Sequence, residues 1–209
     1  MPFLQQLVFA SHNAGKIERY RVIFADIAEK TLSLANLGIS SKPDETGLTA
    51  EENAQIKARY YFDRTGLPTF SSDESLFVDY LAEDKQPGVH VRRINGRDNA
   101  SDEELFDYWH RIIPRVPPEK RTGFWHVAYS IALSVNNVVT VAHDYPVLFF
   151  DPPSPIRIPG WPMSSLEGPV EYGKPHSELT DAERKAVYAE SDRKLYDMLY
   201  NALKGIPKK

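Results

Sequence analysis

The sequence predicts an α/β fold built on a mixed, elongated sheet with flanking helices, and three observations predict it. Strand-like and helix-like patterns alternate along the 209 residues. A hairpin signal, Asn136-Asn137, sits among the crossover-type units, so parallel and antiparallel pairing are both expected. Finally, 42% hydrophobic residues are enough for a substantial core, and the length fits one domain spanning 1–209.

Taken in order, "FLQQLVFA" (3–10) reads as a short buried strand that runs into the polar turn "SHNAGK". From Lys16 the apolar positions change period: Ile17, Tyr20, Ile23, Phe24 and Ile27 line one face of a helix. The segment 46–66 reads as a second helix, begun by Thr49 with Glu52 in capping-box position and stopped by Gly66. "LPTFSS" and "SLFVDYL" are extended and flank the acids Asp73 and Glu74. Residues 100–113 form a helix capped by Ser101 and ended by Pro114. Two strands over 123–150 follow, then an irregular proline-rich stretch, 151–162. One or two helices over 178–205, capped by Thr180 or Asp181 and stopped by Gly205, close the chain.

Charge and composition narrow the function. A net charge of −4 argues against a general nucleic-acid binder, and any anionic ligand must be attracted locally. The absence of cysteine removes disulfides, thiolate nucleophiles and thiolate metal sites. No apolar run is long enough for a membrane span or a signal peptide, so the expectation is a soluble protein of the cytoplasm. The six histidines show no paired ligand spacing, which argues against zinc.

Two groups of residues can carry chemistry. "SHNAGK" follows a strand and opens a helix, where free N–H groups and the helix dipole favour a phosphate. Ser11, His12, Asn13, Ala14 and Gly15 would line it and Lys16 would add a charge; by motif alone it is equally an ordinary Asn-capped turn. The acids Glu51, Glu52, Asp73, Glu74 and Asp79 come from two separate elements. Meeting beside a phosphate, such carboxylates would hold Mg²⁺; taken singly, they are caps and turn residues.

Together, "VFASHNAGK", "ETGLTAEENAQIKA", "TGLPTFSSDESLFVDYL", "QPGVHVRR" and "GKPHSELTDAERKAV" make the chain resemble the Ham1 or inosine triphosphate pyrophosphatase family. That resemblance implies two lobes around a central cleft, a homodimer, and Mg²⁺-dependent hydrolysis of non-standard purine nucleoside triphosphates to monophosphate and pyrophosphate. The family's Ser/Thr-x-Asn-x-x-Lys motif falls on Ser11, Asn13 and Lys16, and its metal-binding Glu on Glu52. Its "DDSG" aligns with "SDES": Asp73 is the implied general base and metal ligand, and Ser72 replaces the first acid. Glu74 could restore that charge only across a turn, since neighbouring strand residues face opposite ways. Lys174 and Lys185 match the late phosphate-side lysines.

The departures gather on base recognition. "GWPMSSLE" stands for the family's "GFGYDPIF", leaving Trp161 as the implied stacking ring and Ser164 in place of Asp. "AES" (189–191) stands for "SHR", with Arg193 the nearest replacement. The expectation is a nucleoside triphosphate pyrophosphatase with altered base recognition; the alternative is a catalytically weak or inactive nucleotide-binding protein on the same scaffold.

Overall fold

The computed structural model describes residues 2–97 and 99–204, the side chain of Ala14 excepted. Strands β1 (Leu4–Phe9), β2 (Ala28–Ser33), β3 (Thr69–Val78), β4 (Thr122–Ser134), β5 (Asn137–Phe149) and β6 (Glu167–Pro169) are hydrogen-bonded in the order β2-β1-β3-β4-β5-β6. β1 is parallel to β2 and to β3, whereas β5 and β6 are antiparallel, so the sheet is mixed. The helices are α1 (Ala14–Ile27), α2 (Ala50–Thr65), α3 (Asp102–Ile112) and α4 (Asp181–Leu203). Among the described residues, no helix is long and apolar enough to cross a membrane.

The chain divides into two compact units whose boundaries fall inside β3, β4, β5 and α4. The first comprises Met1–Asp73, Val127–His143 and Glu190–Lys209. Here alternation along β1 assigns its two faces. Phe9 packs with Tyr20 and Phe24 of α1 and with Phe70 of β3, at ring-centroid distances of 5.4–5.9 Å. Val8 and Ala10 turn the other way and pack with Leu34 and Tyr61 of α2. The second unit comprises Glu74–His126 and Asp144–Ala189; its core joins Leu76 and Val78 to Leu105 and Trp109 of α3 and to Val147 and Phe149 of β5.

Local signals account for most boundaries. Gly66 ends α2 at φ 64°, a left-handed conformation that glycine adopts without a Cβ penalty. Ser101 and Glu104 form the reciprocal capping box of α3. Thr180 and Glu183 bond reciprocally in front of α4, a single helix; Gly205, expected to stop it, lies outside the described residues.

Two expectations need correction, and one strand was not expected. Residues 69–78 form one continuous strand, not two extended pieces around a polar turn, because pairing with β1 holds Thr69 and Phe70 and the charge of Asp73 is neutralised in place by Lys57. The hairpin turn is Val135-Asn136, one residue earlier, and the hydroxyl of Ser134 accepts the N–H of Asn137. β2 carried no recognisable signal: "AEKTLS" begins directly at the end of α1, with no breaker between them.

Candidate active site

The turn between β1 and α1 is shaped by its own side chains. The carboxamide oxygen of Asn13 accepts from the N–H groups of Gly15 (2.8 Å) and Lys16 (3.3 Å), and the hydroxyl of Ser11 accepts from the N–H of Asn13 (3.1 Å). The first turn of α1 contains no acidic residue and carries Lys16, so no charge within that turn offsets its positive N-terminal field. Ser11, Asn13, Gly15 and Lys16 are therefore together in one cap. His12 is exposed, with Nε2 3.4 Å from the Tyr61 hydroxyl, which in turn donates to the carbonyl of Ser41 (2.9 Å). The Ala14 side chain lies outside the described residues.

The approach to α2 is clasped by the first turn of that helix. Asn53 accepts the N–H of Gly47 (2.8 Å), Glu52 accepts that of Leu48 (2.6 Å), and Thr49 accepts that of Glu52 (3.2 Å). A Cβ on Gly47 would lie 2.6 Å from Asn53 Oδ1 and 2.7 Å from Glu52 Cβ, so this loop requires glycine. Glu52, implied by the resemblance as a metal ligand, is a loop brace in this structure.

Lys57 of α2 reaches Asp73 instead. Its ammonium lies 2.5 Å from the Asp73 carboxylate and 3.3 Å from that of Glu45, and the Lys57 and Asp73 side chains keep only 14% and 13% of their exposure. Burial raises the Asp73 carboxyl above its ordinary range; Lys57 opposes that, Glu45 adds to it, and Lys16 acts weakly against it. Burial works to lower Lys57, but Asp73 and Glu45 outweigh it and hold the ammonium above its ordinary value. The charge of Lys16 is thus felt at Asp73, which links the α1 cap to the middle of β3.

Among the described residues, no group of three or more His, Asp or Glu side chains is arranged to hold a metal. The donor set nevertheless suits Mg²⁺, which commonly uses one or two carboxylates and takes its other oxygens from phosphate and water. Asp73 and Glu45, which both converge on the Lys57 ammonium, could supply that pair.

Lys57 and Glu45 were both missed by sequence reasoning. A signal for Lys57 existed: it falls in the stripe Ala54, Ala58, Tyr61 that α2 buries, and a lysine in a buried stripe needs a partner. Glu45 had no comparable signal, because its role depends on a loop path.

Ser72 and Glu74 lie either side of Asp73 on a continuous strand, so both face away from it. Glu74 therefore does not restore a second carboxylate beside Asp73. It shares its face with Leu76 and Val78, and its charge helps raise Glu167, a 7% exposed carboxyl pushed to about 8 mainly by burial.

The remaining predicted residues belong to the second unit. Trp161 is half-buried, and its carbonyl accepts both the N–H (3.1 Å) and the hydroxyl (2.7 Å) of Ser164. Lys174 donates to both oxygens of Glu183 at 2.9 Å; that bond and those from Thr180 pull Glu183 down to about 2. Lys185 is exposed, whereas its neighbour Arg184 is half-buried and donates to the carbonyl of Leu179 (2.8 Å).

Comparison with known proteins extends this picture. The Ham1 family model matches residues 7–143. The "dITP/XTP pyrophosphatase" of Yersinia pseudotuberculosis is 37% identical over 123 residues, 59% of this chain and 60% of that protein. Its namesake from Xanthomonas campestris is 38% identical over 123 residues, 57% of this chain and 58% of that one. The match therefore spans about 60% of the length of these curated relatives. Among solved structures, a nucleoside-triphosphatase / dITP/XTP pyrophosphatase from Mycobacterium abscessus superposes with a TM-score of 0.69 at 27% identity, covering 93% of this chain and 98% of its own. The Ham1 protein of Staphylococcus aureus gives a TM-score of 0.74 at 20% identity over 94% and 98%, a likeness of fold alone.

Proposed function

The chain belongs to the Ham1 family, and from that premise we propose that it is a Mg²⁺-dependent pyrophosphatase cleaving a nucleoside triphosphate to monophosphate and pyrophosphate. The observation that carries the proposal is the buried Asp73 carboxylate, gripped by Lys57 and felt by Lys16 at the cap of α1. The "dITP/XTP pyrophosphatase" relatives supply the substrate class.

In this reading the triphosphate lies on the cap at Ser11–Lys16. Its oxygens take the N–H groups of Gly15 and Lys16 from Asn13, and the ammonium groups of Lys16 and Lys57 balance its charge. Lys57 turns to the phosphate and leaves the Asp73 carboxylate, whose basicity burial has raised, to accept a proton from water. That water attacks the α-phosphorus; the bond from the α-phosphorus to the bridging oxygen breaks, and pyrophosphate leaves with that oxygen. Mg²⁺ held by Asp73 and Glu45 would neutralise phosphate charge, and Glu52, whose Oε2 accepts from Leu48, could join them through Oε1.

Base recognition is altered in this account: Ser164 stands where the resemblance places an Asp, and its hydroxyl is spent on the Trp161 carbonyl. A homodimer in the cytoplasm completes the proposal, the location resting on the cysteine-free composition.

One observation favours the second reading, a nucleotide binder with little turnover: Ser72 stands where the resemblance places an acid. Measuring pyrophosphate and phosphate release with Mg²⁺ across modified and ordinary triphosphates, alongside direct binding, separates the two. Pyrophosphate release supports the enzyme, and binding without release supports the binder.

A further inference from the structure

Ser72 is 5% exposed, and its hydroxyl is buried with no hydrogen-bond partner. A buried hydroxyl that bonds to nothing is a stability cost without structural return, and it calls for a missing partner such as a water, an ion or a ligand. Its direction follows from its neighbours. Ser71 bonds the carbonyl of Ala54 and Asp73 bonds Lys57, so odd positions of this stretch face α2. Phe70 lies 4.8 Å from Phe24 and 5.8 Å from Tyr20, so even positions face α1. Phe9 pairs in parallel with Phe70, and the N–H of Ala10 still donates to the Phe70 carbonyl (2.8 Å), so Ser72 lies two residues past the last paired position, at the end of β1 where the chain turns into α1.

We propose that the Ser72 hydroxyl is a substrate-binding donor: it bonds to a phosphate oxygen held at the N-terminus of α1, and so acts as a further positioning residue for the triphosphate. This rests on the phosphate-binding reading of the same cap. In the free chain the carboxamide oxygen of Asn13 occupies the N–H groups of Gly15 and Lys16. A phosphate oxygen that replaces it shifts the turn, and the hydroxyl beside the turn gains its first acceptor. As a neutral donor, Ser72 adds no negative charge against the incoming anion.

The test uses the full chain and inorganic tripolyphosphate, titrated by calorimetry into the wild type, Ser72→Ala and Lys16→Ala, with thermal melts of each free protein. Ser72→Ala is expected to bind about tenfold more weakly, the scale of one hydrogen bond to a charged group. Its melting temperature should be unchanged or higher, because only an unpartnered hydroxyl is removed. Undiminished binding by Ser72→Ala, with binding lost in Lys16→Ala, overturns the role of Ser72 and leaves the phosphate cap standing. Undiminished binding by both variants overturns the cap and this inference together. A lower melting temperature for Ser72→Ala shows a structural bond and overturns the inference as well.

Discussion

Replacing Lys57 by methionine probes the centre of the site. The substitution keeps most of the aliphatic stem of the side chain and removes the cation 2.5 Å from Asp73 and 3.3 Å from Glu45. Breaking a buried ion pair from one side costs roughly 3–5 kcal/mol because a charge is left uncompensated. Residual exposures of 14% and 13% place this pair toward the low end, about 3 kcal/mol at neutral pH. Without Lys57, the influences left on Asp73 are burial and Glu45, which raise it, and Lys16, which lowers it weakly. A carboxyl with a raised folded-state pKa favours folding at low pH and loses that contribution as pH rises through the folded value. The deficit of Lys57→Met should therefore be small near pH 4 and grow toward pH 8. Chemical denaturation of the wild type, Lys57→Met, Asp73→Asn and the double variant at both pH values reads this directly. In the double variant no buried charge is stranded, so most of the loss should return. A deficit under about 0.5 kcal/mol at pH 8, or one identical at both pH values and in the Asp73→Asn background, refutes the reasoning.

Three further outcomes are expected. Glu167 rises to about 8 in the folded chain, so its protonated form supports folding and that support fades as pH climbs through 8. Melting curves should show Glu167→Gln close to the wild type near pH 4.5 and more stable at pH 8.5, by on the order of 4–5 kcal/mol; parallel pH profiles would contradict this. Gly47→Ala puts a Cβ 2.6 Å from Asn53 Oδ1, and the overpacked loop should cost about 1–3 kcal/mol in denaturant titrations; a silent substitution would mean that the loop gives way freely. Asp73→Asn should lower kcat about 100-fold or more, the usual scale for a general base, with far less effect on nucleotide binding measured by calorimetry.

Local chemistry was legible in the sequence, and its partners were not. Thr49, Gly66 and Ser101 mark helix ends through their own side chain or lack of one, so α2 and α3 could be read from short windows. The turn at Asn13 was legible for the same reason. Pairing across distance was not. The acids of 69–79 looked like a turn because a charge inside a strand is unfavourable until a cation answers it, and that cation, Lys57, comes from another element 16 residues away. Glu52 illustrates the converse: its capping position was legible, but its carboxylate bonds Leu48 N–H and not the Thr49 N–H of a reciprocal box. Which way Ser72 and Glu74 face followed only once β3 was seen to be unbroken.

The most direct test of the central claim is the product of the reaction. Purified chain, incubated with Mg²⁺ and each of ITP, dITP, XTP and the ordinary triphosphates, should release pyrophosphate and the matching monophosphate from at least one of them, and Asp73→Asn should not. Release of orthophosphate alone, no release from any triphosphate, or pyrophosphate release undiminished in Asp73→Asn would contradict the account.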